Sequence, residues 1–236
     1  MTVKQITIDG QTVPFEDGQT IIQAATAAGV YIPHLCHHPE FTPHGSCKLC
    51  TVKVNGRCVS SCTFPASEGQ VIENNTEELN FDRKRITQML FVEGNHFCPS
   101  CEKSGNCQLQ AVGYHLNMLD NHYPHFFALK KVDASHPNVL LDRNRCIFCA
   151  LCVRASHAEG KDVFGIVGRG INKHLEVTSS TGNLADTALD VNDRAAHICP
   201  TGAILVRGTA FKVPIGQRKF DHHNIDEISL GVEHGQ

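Results

Sequence analysis

Eleven of the twelve cysteines fall into three groups whose spacing suits iron–sulfur ligation. Cys36, Cys47, Cys50 and Cys62 form the first. Cys98, Cys101 and Cys107 form the second, with His96 just ahead of them. Cys146, Cys149 and Cys152, joined by a distant Cys199-Pro200, form the third. Thiolates cage inorganic iron and sulfide, two per iron in a [2Fe–2S] rhomb and one per iron in a [4Fe–4S] cubane. A chain so filled with them reads as a carrier of electrons. No nucleophile, general acid or open substrate-metal site stands out, so no catalytic residue is assigned.

The first group runs C-x10-C-x2-C-x11-C. Three thiolates on a loop and a fourth from a neighbouring strand suit a [2Fe–2S] rhomb, and Gly45-Ser46 lets backbone N–H groups approach sulfide. A structural zinc held by four cysteines is the alternative, but zinc sites usually use two CxxC knuckles and this segment has one. Cys58 competes with Cys62 for the fourth place. Cys62 ends its strand ahead of a Thr-Phe-Pro turn and is preferred, leaving Cys58 as a small buried hydrophobe.

In the second group three cysteines leave one cubane iron open, and His96 can close it. Neutral imidazole in place of a thiolate makes a site less negative and raises its potential, the direction seen in Rieske centres. His115 or Cys58 could take the same place, and zinc bound by three cysteines and one histidine fits by count. The third group departs from the two-cluster ferredoxin run C-x2-C-x2-C-x3-C-P. No cysteine follows Cys152 at that offset and no second CxxCxxC precedes Cys199, so these four residues build a single [4Fe–4S] cubane.

The elements that must position these ligands divide the chain into segments. Residues 1–69 read as a hairpin turning at Asp9-Gly10, a helix opened by Thr20 and Gln23 and stopped by Gly29, the cysteine loop, and a hairpin turning at Asn55-Gly56. This is the order of a small β-grasp domain. Residues 70–136 read as helical: one helix over Thr76 to Glu93, with Leu79, Ile86, Met89 and Leu90 at helical spacing, and a second from about Asn106. Residues 137–207 carry strands at Val139 to Asp142, Val163 to Val167 and His174 to Thr178, with short helices at Ala150 to Ala158 and Asn192 to Ile198. The tail, 208–236, lacks periodicity and either docks or frays. The fold class is α+β.

The bulk composition excludes several partners. A net charge of −3 from 21 basic and 24 acidic residues is no footprint for nucleic acid. No run of about 18 apolar residues suggests a membrane span. The N-terminus has no signal-peptide pattern, which points to the cytoplasm, where thiols stay reduced and bind metal. No glycine pair, Gly168-Arg169-Gly170 included, extends to GxGxxG, so no nucleotide site is read here.

Taken together, these motifs over about residues 1 to 207 resemble the N-terminal part of the complex I large iron–sulfur subunit, with [FeFe] hydrogenases and diaphorase subunits as further relatives. In length the chain is most similar to the small diaphorase subunits of soluble NAD-reducing [NiFe] hydrogenases. The resemblance implies one [2Fe–2S] and two [4Fe–4S] clusters. It implies as partners a large diaphorase subunit binding FMN and NAD, and the small and large [NiFe] hydrogenase subunits. Electrons from hydrogen would reach the Cys146 set, then the His96 set, then the partner's flavin. The family pattern H-x3-C-x2-C-x5-C is altered, because His96 stands only two residues before Cys98. The same role in a formate dehydrogenase or a bifurcating hydrogenase, and a structural zinc-binding adaptor, are the competing readings. The segments Tyr123 to Lys131 and Phe211 to Phe220 are candidate docking faces.

Overall fold

The computed structural model describes residues 4–229. The first three residues of the expected β-grasp segment and residues 230–236 of the expected tail lie outside the described residues. The described residues form two compact units, one of residues 4–87, 112–119 and 223–229, the other of 88–111 and 120–222. Among the described residues no helix is long and apolar enough to cross a membrane.

In the first unit β1 (Lys4–Ile8) and β2 (Gln11–Phe15) pair antiparallel, and α1 (Ile21–Ala27) follows. Strands β3 (Thr51–Val54) and β4 (Arg57–Ser60) form a second hairpin, and β5 (Val71–Glu73) completes a sheet of order β2-β1-β5-β3-β4. Asn55 and Gly56 turn the second hairpin with φ of 48° and 82°, the left-handed pair a two-residue turn needs. Alternation puts Ile6, Ile8, Val13, Val52 and Ile72 on one face, where they bury against Ile21, Ile22 and Ala25 of α1. The expected capping box opens α1, with the Gln23 carboxamide oxygen accepting the Thr20 N–H at 2.9 Å.

Helix α2 (Glu77–Val92) starts in the first unit and ends in the second. Its expected apolar stripe is not what it buries. Leu79 is covered, but Met89 is 43% exposed, and the buried positions next on the Leu79 face are Arg83 and Thr87. Helix α3 (Gln108–His115) begins after Cys107, not before it. The Cys107 carbonyl accepts the first helical bond from Ala111 at 3.0 Å, so Cys107 caps the helix from outside.

The second unit holds β6 (Val132–Asp133), β7 (Val139–Asp142), α4 (Leu151–Ala158), the hairpin β8 (Phe164–Val167) and β9 (His174–Val177), α5 (Arg194–His197) and β10 (Ile204–Val206). Strands β10, β7 and β6 form one sheet in that order. The tail docks rather than frays over the part that belongs to this unit. Phe220 N–H bonds the Gly105 carbonyl at 2.9 Å, and Lys219 N–H bonds Asn106 Oδ1 at 3.0 Å. A final short helix, α6 (Ile225–Ser229), belongs to the first unit, where Asp226 meets His115 at 3.4 Å.

Candidate metal centres

None of the twelve cysteines is in a disulfide. The first set is gathered by the β3–β4 hairpin. Its register places Thr51 opposite Ser60, and the Ser61 N–H and hydroxyl both bond the Cys50 carbonyl, at 3.0 and 2.8 Å. Cys50 and Cys62 are thereby drawn together, and both are buried, as is Cys36. Lys48, at φ 61°, turns the Cys47–Cys50 loop in the left-handed region. The Cys47 and Cys62 thiols both donate to Cys36 and hold its pKa far below the usual thiol range. In turn Cys36 raises Cys47 and Cys62, and burial adds to both. The Cys62 thiol brings Cys50 down to about 7. Four thiols joined in a chain of contacts, Cys47 to Cys36 to Cys62 to Cys50, suit a polynuclear cluster that takes all of them as thiolates.

Cys58 is not the small buried residue expected. It is exposed. It pairs with Lys53, whereas the buried residues of β3 are Val52 and Val54, so the strand's parity turns Cys58 outward with the lysine. Cys58→Ser is therefore expected to leave iron content unchanged, while Cys62→Ser removes the [2Fe–2S] signal. Loss of that signal in the Cys58 variant alone would reverse the assignment.

Arg83 of α2 was not visible as a site residue in the sequence. It is 2% exposed. Its Nε donates to the Leu49 carbonyl at 3.0 Å and its Nη2 to the Thr51 carbonyl at 2.8 Å, so the guanidinium clamps the peptide on both sides of Cys50. Its remaining bonds reach Asn74 O and Oδ1, both at 2.8 Å, and Asn80 Oδ1 at 3.1 Å. Every one of these acceptors is neutral. Burial pulls its pKa down to about 10, and negative charge at Cys50 works against that.

In the second set the Cys107 thiol is buried, and burial pushes it up to about 12, opposed by the Gln110 and Leu109 N–H groups at the start of α3. Cys98 is raised by burial and then by Cys101. His96 Nε2 is buried without a hydrogen-bond partner. Burial first, then repulsion by Arg145, lowers its pKa to about 4, which keeps the imidazole neutral and able to ligate. The altered spacing has a structural counterpart. A Cβ built on Gly94, four residues before Cys98, would lie 2.6 Å from His96 Nε2. The ring of His96 thus folds back over the position where the family pattern carries its histidine, and the absence of a side chain at 94 makes room for it. Of the rivals, His115 is engaged by Asp226 and by an edge contact with Tyr31 at 5.1 Å.

The four thiols of the third set line one largely apolar cavity with Ile147, Ile166, Leu175 and Pro200. Phe148 and Ala150 stand at φ 55° and 57°, uncommon for residues with a side chain. These two left-handed steps wind the loop so that the Phe148 N–H points to Cys146 Sγ at 3.5 Å. Burial raises Cys146 to about 11, with Phe148 N–H, Lys130 and Lys173 acting against it. Cys152 is raised strongly by burial and by the other three cysteines. Among the described residues no group of three or more His, Cys, Asp or Glu is set to hold a lone metal ion.

Three family models match in sequence. Residues 3–77 match a 2Fe-2S iron-sulfur cluster binding domain, 83–122 the NADH-ubiquinone oxidoreductase-G iron-sulfur binding region, and 139–206 a 4Fe-4S single cluster domain. The chain is 42% identical to the gamma subunit of the NAD-reducing hydrogenase HoxS of Cupriavidus necator, over 97% of this chain and 98% of that one. It is 31% identical to the G subunit of the NADH-quinone oxidoreductase of Rickettsia bellii over 88% of its length, which spans 30% of that larger protein. Among solved structures it superposes with TM-score 0.93 and 52% identity on a chain of the NAD+-reducing [NiFe]-hydrogenase in its H2-reduced state, covering 94% of this chain and 95% of that one.

Proposed function

This chain belongs to the family of the NAD-reducing hydrogenase gamma subunits, and we propose that it is the electron relay of such an enzyme, coupling H2 oxidation to NAD+ reduction. The end-to-end likeness to the gamma chain carries this reading: 97% of this chain aligns with 98% of that relative, against 30% of the complex I relative. It favours a hydrogenase over the formate dehydrogenase and zinc-adaptor alternatives.

In this reading Cys36, Cys47, Cys50 and Cys62 hold a [2Fe–2S] cluster within a β-grasp segment, residues 1–69. His96, Cys98, Cys101 and Cys107 hold a [4Fe–4S] cluster within residues 70–136. Cys146, Cys149, Cys152 and Cys199 hold another within a ferredoxin-like segment, residues 137–207, and residues 208–236 form the tail. The convergent thiols, the orphaned His96 nitrogen and the four-cysteine cavity support these sets. When bound, the clusters supply reversible one-electron steps. The chain contributes ligation, N–H donors to sulfur and exclusion of water, which together set the potentials.

Hydrogen cleavage is assigned to the small and large [NiFe] hydrogenase subunits. FMN and NAD binding is assigned to a large diaphorase subunit. The complex is placed in the cytoplasm, and this chain is given no catalytic residue of its own.

A relay between two catalytic partners must accept electrons from either end. Exposing the anaerobic complex to H2, and separately to NADH, is expected to produce the same paramagnetic signals from this chain. If neither donor reduced them, the relay role would be wrong.

A further inference from the structure

We propose that Arg145 couples the two cubane sites, its guanidinium holding the Cys101 sulfur while its own peptide carries Cys146, and that its charge raises the potential of the His96 set. The inference rests on the ligand sets proposed above.

Arg145 directly precedes Cys146, the first cysteine of the CxxCxxC run. Its side chain is 19% exposed and turns toward the other set. Nη1 lies 3.7 Å from Cys101 Sγ, within the range of an N–H···S bond, and 2.6 Å from Glu102 Oε2. Nε lies 3.0 Å from Asp142 Oδ2. The Arg145 carbonyl accepts the Thr201 hydroxyl at 2.8 Å, two residues beyond Cys199. A second link runs parallel, because the N–H of Gln108, next to Cys107, bonds the Pro200 carbonyl at 2.9 Å. Each set is thus tied to the other at two points, and at each point the bonded group is adjacent to, or is itself, a ligand.

Gly202 shows how close the approach is. A Cβ there would sit 3.1 Å from Cys101 Sγ and 3.3 Å from Arg145 Nη1. The backbone of Gly202 does not need the left-handed region, so the demand is for space. The turn after Cys199 packs directly on the sulfur of Cys101.

The electrostatics give the sign. Reduction adds one electron to a site already bearing thiolates, and a cation donating to sulfur favours the more negative state. Glu102 and Asp142 share the same guanidinium. Without Arg145 two carboxylates would face the cluster unopposed, and with Glu102 neutralised more of the positive charge would be felt at Cys101.

The test is a low-temperature paramagnetic resonance titration of the full-length chain in its complex, with iron measured alongside. At the parent's midpoint for the His96 cubane, Arg145→Gln should lower the reduced-to-oxidised ratio at least tenfold, a shift of about 59 mV for one electron. Glu102→Gln should move the same signal the opposite way. Both variants with full iron and an unmoved midpoint would overturn the proposal. If Arg145→Gln lost iron, Glu102→Gln would decide alone: a raised midpoint supports the coupling and an unchanged one refutes it. A parent protein lacking a second cubane signal would instead remove the ligand sets, and this inference with them.

Discussion

Cys149→Ser is expected to stop hydrogen-dependent NAD+ reduction while leaving NADH oxidation by an artificial acceptor largely intact. Cys149 is buried in the four-cysteine cavity, and a hydroxyl in its place neither carries the thiolate charge nor matches its softness toward iron. Losing a partner of a ligand costs about 10–100-fold in metal affinity or activity, so losing a ligand should lower the coupled rate by ~100-fold or more. The second activity survives because the flavin and the nucleotide are assigned to another subunit, and the resemblance assigns the Cys146 set to the hydrogen side of the relay. Both rates are measured on one preparation, with assembly checked by gel filtration. Loss of both in an intact complex would mean that the order of centres is different.

Arg83→Met should destabilise the first unit and release its cluster. The substitution removes the hydrogen bonds to the carbonyls of Leu49, Thr51 and Asn74, of which Leu49 and Asn74 are buried. Each buried group left unsatisfied costs about 1–3 kcal/mol, so a total of ~3–5 kcal/mol is expected after partial relaxation. Arg83→Lys should recover only part of this, because an ammonium on a flexible stem cannot span the Leu49 and Thr51 carbonyls as a planar fork does. Chemical denaturation of the full chain, followed beside the [2Fe–2S] signal, measures both effects. A change below about 0.5 kcal/mol, typical of an inert surface site, with an unchanged signal would show that the clamp does nothing.

The parts of this protein legible in its sequence are those specified locally. CxxC spacing, the Asp9-Gly10 and Asn55-Gly56 turns and the Thr20–Gln23 helix start each depend on neighbours a few residues apart, and each is found where expected. Cys58 could have been placed correctly as well. A two-residue turn at Asn55-Gly56 sets Lys53 opposite Cys58, and the lysine marks the solvent face. Arg83 left a weaker trace, at the fourth residue after Leu79 and before Thr87 on one helical face, where a charged side chain reads by default as exposed. Arg145 left none. Its role depends on where Cys101 and Gly202 lie in space, 44 and 57 residues away in the chain, and that is fixed only by the packing of β7, α3 and the turn after Cys199. The shifted histidine is an intermediate case: the spacing broke the family pattern in the sequence, and the reason, a bare Gly94 beneath the ring, lies in the fold.

Iron content and low-temperature paramagnetic resonance of the anaerobically purified chain address the central claim most directly. One rhomb and two cubanes require about 10 Fe per chain. Dithionite treatment should then give a slowly relaxing [2Fe–2S] spectrum and two faster-relaxing cubane spectra. Colourless protein without iron, spectroscopically silent after reduction, would contradict the account.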